Sequence, residues 1–385
     1  MSFIQRPRLL EKIEKAFKTH RIVALLGPRQ CGKTTIAREI WTVKNKNRND
    51  PAYFDLENPL HLTRLETPDL TLKSLKGMIL IDEIQRRPDL FPYLRYLHDE
   101  EFDQNFLILG SASRELIRQS SESLAGRIAY IEVTPFSLEE VQDMRRLWLL
   151  GGFPRSYLSE EEDSIFWRKQ YITTYIEHDL RTYGFDFNTD ILRRFWHMLS
   201  HYHGQIFNAS ELAGSLGVTP PTIRRYLSFL ESAFMVRVLQ PWHENIQKRQ
   251  IKNPKIYFRD SGLLHFFLEI QTETQLSLHS KVGASWEGFA LEEICRHLEK
   301  ENQEVFFWAT HNQAELDLLT HIKGQRVGFE FKYQDAPRLT SSMRIALQDL
   351  KLDRLEVIYP GDQDYQLTEN VYVKGLKNFL DIKRH

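Results

Sequence analysis

Residues 27–34, Gly27-Pro28-Arg29-Gln30-Cys31-Gly32-Lys33-Thr34, follow the spacing G-x-x-x-x-G-K-[ST], and these residue types in this order suit one task, cradling phosphate. The two glycines let the backbone wrap closely, so that several N–H groups and a helix N-terminus point at negative charge. Lys33 is spaced to reach the β- and γ-phosphates of a nucleoside triphosphate and the Thr34 hydroxyl to hold Mg2+, with Thr35 beginning the helix beyond. A second group of residues suits hydrolysis. Met78-Ile79-Leu80-Ile81 is an apolar run that ends in Asp82 and Glu83. Asp82 is suited to hold Mg2+ through water, and Glu83 to polarise an attacking water. The plainer alternative is that the two carboxylates open a solvated loop. A third group lies far along the chain: Glu330-Phe331-Lys332 comes thirteen residues after Asp317, and a helix before them carries Glu287, Glu292 and Glu293. Strand alternation puts Glu330 and Lys332 on one face.

Hydrophobic spacing indicates the elements that must position these residues. Ile22–Leu26 reads as a buried strand entering the phosphate loop, and Thr35–Trp41 as the helix leaving it. Tyr53–Leu56 and Phe106–Gly110 read as further strands. Continuous apolar runs of this kind mark parallel strands buried on both faces, and such sheets bind ligands at their C-terminal edge. The expected architecture is therefore a multidomain α/β chain with a P-loop parallel-sheet core over 1–135. Residues 136–204 are expected to be helical, through Leu138–Trp148 and Ile165–Leu180, and to form a lid over the nucleotide. In 205–282, Asn208 and Glu211 suggest a capped helix ending at Gly217, and Pro220-Pro221 opens a second helix over Thr222–Leu230. Strands Val236–Leu239 and Lys255–Phe258 complete a winged helix-turn-helix pattern. Residues 283–385 read as a further α/β domain, with a helix at Trp286–Leu298 and strands at Val305–Trp308, Leu316–Thr320 and Val327–Tyr333.

A chain of 385 residues with 42 % hydrophobic and 27 % charged residues is ordinary globular protein, long enough for two or three cores. A net charge of −1 excludes a uniformly basic nucleic-acid binder and leaves room for a local patch. Such a patch is visible between Asp190 and Asp260, where ten Lys and Arg face five Asp and Glu. Thr222, Arg224 and Arg225 fall on or near the exposed face of the second helix, and Lys248, Arg249, Lys252 and Lys255 gather in the wing, as candidate DNA contacts. The alternative is that this module packs only against the lid or another subunit. Two cysteines, Cys31 and Cys295, cannot make a disulfide framework and suit a reducing cytoplasm. Cys31 lies in the phosphate loop, where its oxidation would block nucleotide; a loop-filling role is the blander reading. No apolar stretch reaches membrane-spanning length, and the charged N-terminus does not read as a signal peptide.

Taken together, the chain resembles a large family of prokaryotic AAA+-like ATPases with a C-terminal domain of unknown function, DUF4143. The resemblance rests on the phosphate loop, Leu80-Ile81-Asp82-Glu83-Ile84-Gln85, Gly110-Ser111-Ala112-Ser113, Leu124-Ala125-Gly126-Arg127 and Gly151-Gly152-Phe153-Pro154. It continues through the helix-turn-helix and Lys255–Leu263 to Glu315-Leu316-Asp317 and Glu330-Phe331-Lys332. It implies an ATPase core using ATP and Mg2+, with Ser111 sensing the γ-phosphate. Arg127 would serve as an arginine finger in cis or from a neighbouring subunit, or else as a salt bridge closing the sheet onto the lid. Glu287, Asp317, Glu330 and Lys332 resemble the PD-(D/E)XK nuclease arrangement, in which carboxylates bind Mg2+ and the lysine activates or positions water.

The function expected on this basis is a cytoplasmic, Mg2+-dependent ATP hydrolase acting on DNA, in branched-DNA handling, repair or defence, as a homo-oligomer or ring. ATP state would set the grip on DNA. Two alternatives are a nucleotide-dependent switch that binds DNA or a protein partner through the winged helix, and an ATP-gated DNA nuclease.

Overall fold

A computed structural model describes residues 4–45, 52–100, 103–110, 124, 126–175, 188–312 and 314–382. The chain divides into two compact units, residues 1–135 with 232–234 and residues 136–231 with 235–385.

In the first unit the strands β1 (Ile22–Leu26), β2 (Tyr53–Asp55), β3 (Gly77–Asp82), β4 (Gln104–Gly110) and β5 (Ile128–Glu132) form one parallel sheet in the order β2-β3-β4-β1-β5. The sheet explains why these runs are apolar at every position. Ile22, Ala24, Ile79, Ile81, Phe106 and Ile108 face one core with Leu90, Phe91, Leu94 and Leu97 of helix Leu90–Asp99. Their alternates Val23, Leu25, Leu80, Leu107 and Leu109 face a second core with Ile36, Ile40 and Trp41 of helix Lys33–Asn45. The three inner strands β1, β3 and β4 thus lose water on both sides, which is the burial that drives formation of a two-faced α/β layer. The fifth strand was not apparent from the sequence because Tyr130 and Glu132 interrupt its run.

The second unit begins with short helices. The expected helix over Leu138–Trp148 is two, Leu138–Val141 and Met144–Leu150, broken at Gln142 with a left-handed φ of 61°. Helix Glu161–Thr174 follows, and the end of the expected 165–180 helix lies outside the described residues beyond 175. Within this unit the segment shares hydrogen bonds with residues a hundred positions later. Gly152 N–H donates to Asp260 Oδ2 at 2.7 Å, Arg168 Nη1 to the Gly262 carbonyl at 2.8 Å, and Leu138 N–H to Glu293 Oε2 at 2.7 Å. Glycine is required at the closest approach: Gly151 has φ 78°, and a β-carbon there would stand 2.2 Å from Asp260 Oδ1. The two glycine-containing motifs at 151–154 and 260–263 are therefore halves of one packing joint.

Two helices stand at the positions expected for the pair, Ala209–Leu216 and Pro220–Ser232. The Asn208 side chain accepts from the Ser210 and Glu211 amides, and Gly217 ends the first helix at φ 67°. Strands β6 (Gln205–Ile206), β7 (Val236–Pro241) and β8 (Lys255–Phe258) form the hairpin region. The sequence division at 282/283 is not a break in the sheet. Strand β7 pairs in parallel with β9 (Val305–Ala309), through Gln240↔Phe306 and Pro241↔Phe307. The sheet runs on through β10 (Glu315–Ile322), β11 (Gln325–Phe331), β12 (Arg354–Tyr359), β13 (Tyr365–Thr368) and β14 (Val371–Gly375), nine strands among the described residues, in the order β13-β14-β12-β11-β10-β9-β7-β8-β6. Helix Val282–His297 packs on β11.

Candidate nucleotide site and a second charged cluster

The phosphate loop joins β1 to helix Lys33–Asn45 at the C-terminal edge of the first sheet. Its curl is over-determined by close packing. A β-carbon on Gly27 would lie 2.0 Å from the Val133 carbonyl oxygen, Gly32 has φ 100°, and Gln30 has φ 61°. Cys31 is fully buried and its thiol donates to the Val133 carbonyl at 3.2 Å, so it fills the loop as the blander reading had it. Pro28 is buried, Arg29 half-buried, and Gln30 and Thr35 are exposed. The Lys33 ammonium, 6 % exposed, donates to the Gly27 and Pro28 carbonyls at 2.9 and 2.8 Å, which keeps it over the loop.

Strand β3 delivers Asp82 to the same edge. Thr34 Oγ1 donates to Asp82 Oδ2 at 2.9 Å, and the Glu83 amide donates to Asp82 Oδ1 at 3.0 Å. Burial pushes the Asp82 carboxyl up to about 6, the Thr34 hydrogen bond opposing and the charges of Glu83 and Asp55 adding to the shift. Such a carboxylate is under-neutralised, and a cation would relieve it. Glu83 sits in the left-handed region at φ 57°, a strained position for a non-glycine residue, and its carboxylate accepts from the Gln85 side chain. Gln85, quoted above only as part of the Leu80–Gln85 run, is thus a direct partner of Glu83, a contact its i+2 spacing could have suggested. These residues fit a triphosphate and Mg2+: Lys33 and the loop amides would hold phosphate, and Thr34 and Asp82 the cation.

Arg127 does not join them. Ile22 of β1 pairs in parallel with Ile128 of β5, so Arg127 stands level with Arg21 at the opposite edge of the sheet. Six residues of strand separate that level from Gly27, about 20 Å at 3.3 Å per residue. The arginine instead clasps Asp99, with Nε at 2.6 Å and Nη2 at 3.2 Å from its two oxygens. The cis arginine-finger expectation is therefore corrected. Ser111 lies outside the described residues.

The second unit gathers the C-terminal candidates around two lysines. Leu318 pairs with Phe329 across β10 and β11, and continuing that antiparallel register sets Asp317 opposite Glu330. A register shift between Leu316 and Leu319 against β9 marks a bulge at Asp317, a device that re-aims a side chain. Lys332 Nζ lies 2.6 Å from Glu330 Oε2 and 3.9 Å from Asp317 Oδ2. Lys255, expected in the basic wing patch, is only 2 % exposed and belongs here instead. Its Nζ lies 3.2 Å from Glu287 Oε1 and 3.7 Å from Asp317 Oδ1, and it also pairs with Glu315. β8 is buried at all four of its positions, so Lys255, its first residue, lies inside while Lys252 and Asn253 of the preceding loop stay in water.

Tyr257 donates to Glu287 Oε1 at 2.5 Å. Burial would lower the Lys255 pKa, but the charges of Glu287, Tyr257, Asp317 and Glu315 outweigh it and raise it well above the ordinary lysine value. Burial and the Asp317 charge raise Glu330 and bring Glu287 up to about 7. Glu292 and Glu293 stand apart from this cluster: Glu292 is buried against Arg237 and Arg259, and Glu293 accepts from Leu138 N–H and Arg296. Among the described residues no group of three or more His, Cys, Asp and Glu side chains is disposed to hold a metal ion.

Of the DNA candidates, Arg224 and Arg225 are exposed on the second helix of the pair and Thr222 is half-buried against Thr219. Lys248 is paired with Asp349 at 2.6 Å. Arg249 and Lys252 line a cavity of about 560 Å3 together with His243, Asn253 and His311.

The parallel sheet order, the phosphate loop and the Thr34–Asp82 contact define a P-loop ATPase of the AAA type. Residues 19–142 match the AAA domain family, 141–274 a domain of unknown function (DUF8612), and 282–379 a domain of unknown function (DUF4143). The chain belongs to the family that joins these domains. It is 45 % identical over 373 residues to Uncharacterized protein Rv2008c of Mycobacterium tuberculosis, covering 96 % of this chain and 83 % of that protein. Uncharacterized protein Mb2031c of Mycobacterium bovis matches to the same extent. Among solved structures, a Walker-type ATPase of Pyrococcus abyssi is 15 % identical at a TM-score of 0.43, covering 69 % of this chain and 96 % of that one. The Bacillus subtilis DNA clamp loader delta protein is 12 % identical at a TM-score of 0.28, covering 58 % of this chain and 86 % of that one. Likenesses at these scores carry no functional argument. No helix among the described residues is long and apolar enough to cross a membrane.

Proposed function

We propose that the protein is a Mg2+-dependent ATP hydrolase whose nucleotide state sets its grip on DNA. The observation that carries the hydrolase reading is the hydrogen bond between Thr34 and Asp82, which ties the phosphate loop to the carboxylate pair at the end of β3. When bound, Mg2+ would neutralise charge on the phosphates and on Asp82. Lys33 leaves two backbone carbonyls to bind phosphate, an exchange of neutral acceptors for a charged one that favours the ligand. Glu83, held by Gln85, orients water, and its left-handed backbone fixes where the carboxylate points. The DNA part of the reading is supported by Arg224 and Arg225, exposed on a helix opened by two prolines, and by the cationic cavity at Arg249 and Lys252. A homo-oligomer is part of the same proposal.

Phosphate release from ATP with Mg2+ tests it, for wild type and Lys33→Ala, without nucleic acid and with single-stranded, duplex and four-way-junction DNA. Turnover absent in Lys33→Ala and stimulated severalfold by one DNA form in wild type is the expected result. Retained turnover in folded Lys33→Ala would overturn the site. A slow rate indifferent to every DNA would instead favour a nucleotide switch with a protein partner.

A further inference from the structure

We propose that Lys255 is a resident counter-cation that stands in the carboxylate cluster of the second unit in place of a divalent metal, so that the cluster neither takes up Mg2+ nor supports metal-assisted phosphodiester cleavage. This is where the residues depart from the nuclease arrangement that Glu287, Asp317, Glu330 and Lys332 resemble. The ammonium reaches the cluster from β8, outside the helix and two strands that supply the carboxylates. It contacts three of them, Glu287, Glu315 and Asp317, and is almost wholly shielded from water. The Phe307 ring, with its centroid 5.7 Å from Nζ, closes another side.

Several of the oxygens a metal would need are already engaged. Asp317 Oδ1 faces Lys255, while Oδ2 accepts the Phe331 amide at 3.0 Å and faces Lys332. Glu287 Oε1 accepts from both Lys255 and Tyr257. Mg2+ demands near-octahedral oxygen ligation at about 2.0–2.1 Å, so it would have to break these contacts. It would also have to enter beside a buried positive charge, where repulsion is poorly screened. The residues present therefore do not fit the metal. What they do instead is bind β8 of the hairpin to β10 and to helix Val282–His297 through one buried, ion-paired strut.

The test is Mn2+ binding by the full-length chain, read from the paramagnetic resonance of free Mn2+, with Asp82→Asn present throughout to silence the phosphate-loop site. Asp82→Asn alone is expected to bind no Mn2+ in the millimolar range. Adding Lys255→Met should create one site, at least about tenfold tighter, as expected when a neighbouring positive charge is removed, and Asp317→Asn should abolish it. Should Lys255→Met unfold in plain buffer, recovery of its folded circular dichroism on adding Mn2+ supports the proposal equally. Two results would overturn it: Mn2+ bound by Asp82→Asn and lost on adding Asp317→Asn, or a folded Lys255→Met chain that binds none. If Lys255→Met folds under no condition, the Asp82→Asn comparison with and without Asp317→Asn decides alone. Because Asp82→Asn removes the cation ligand of the other site, the ATPase reading can fail without touching this one.

Discussion

Asp82→Asn should make the protein more stable while stopping Mg2+-dependent turnover. Asp82 is 6 % exposed, and its carboxyl is raised from 3.8 to about 6 chiefly by burial. At 1.36 kcal/mol per pH unit, a shift of about two units means that keeping this group ionised in the fold costs about 3 kcal/mol. Linkage sets the sign. A carboxyl whose folded pKa exceeds its unfolded one binds its proton more tightly when folded, so the cost is complete above pH 6 and vanishes below 3.8. Asparagine has nearly the same shape and no charge. The Thr34 hydroxyl can turn to accept from the new amide, leaving the side-chain oxygen for Glu83 N–H, and because Thr34 is only half-buried its displaced O–H can turn to water. The variant should therefore exceed wild type by about 3 kcal/mol at pH 8, by about half of that at pH 5, and by little at pH 4. Calorimetry at each pH measures this, the relevant transition being the one that Mg2+–ATP moves upward in wild type. A difference that does not change with pH, or a variant less stable than wild type at pH 8, would refute the reasoning.

Two further substitutions probe the corrected placements. Arg237→Met takes one of its two arginine partners from Glu292, which is 2 % exposed and keeps Arg259, and should cost about 3 kcal/mol or somewhat less in urea unfolding. Burial raises the Glu292 pKa, but the charges of Arg237 and Arg259 prevail and bring it from 4.5 down to about 2. Stability from this group is accordingly full above pH 4.5 and lost as pH falls toward 2, and that acid limb should be smaller in the variant, where Arg259 remains. Arg127→Ala removes an exposed clasp on Asp99 and should leave stability nearly unchanged in urea unfolding. Its ATP turnover should stay within about twofold of wild type, whereas a loss of 10³ or more, the scale of an arginine finger, would place it at a neighbour's nucleotide.

The nucleotide site was legible in the amino-acid order because it is made locally. A strand, a turn with glycines at fixed offsets and a helix N-terminus build the phosphate cradle from consecutive residues, and the Asp82-Glu83 strand end declares itself by an apolar run that stops at charge. The parallel core was legible for the same reason, since strands buried on both faces are apolar throughout. The helix pair at 209–232 could be read from its cap and prolines, and strands β9 to β11 from their runs, to within a few residues.

Tertiary structure decided what depends on residues distant in sequence. Whether Lys255 joins a solvent-facing patch or a buried cluster turns on β8 being enclosed between β6 and β7, and on Glu287 and Asp317, which lie thirty-two and sixty-two residues further on. That Arg127 lies away from the phosphate loop follows from β1 and β5 running parallel, which no local pattern encodes. The glycines at 151 and 262 look like turn residues until Asp260 and the Leu150 carbonyl are found against them. Charge and glycine are ambiguous in a linear chain because their meaning is set by what approaches them, and only the packed chain brings those partners within reach.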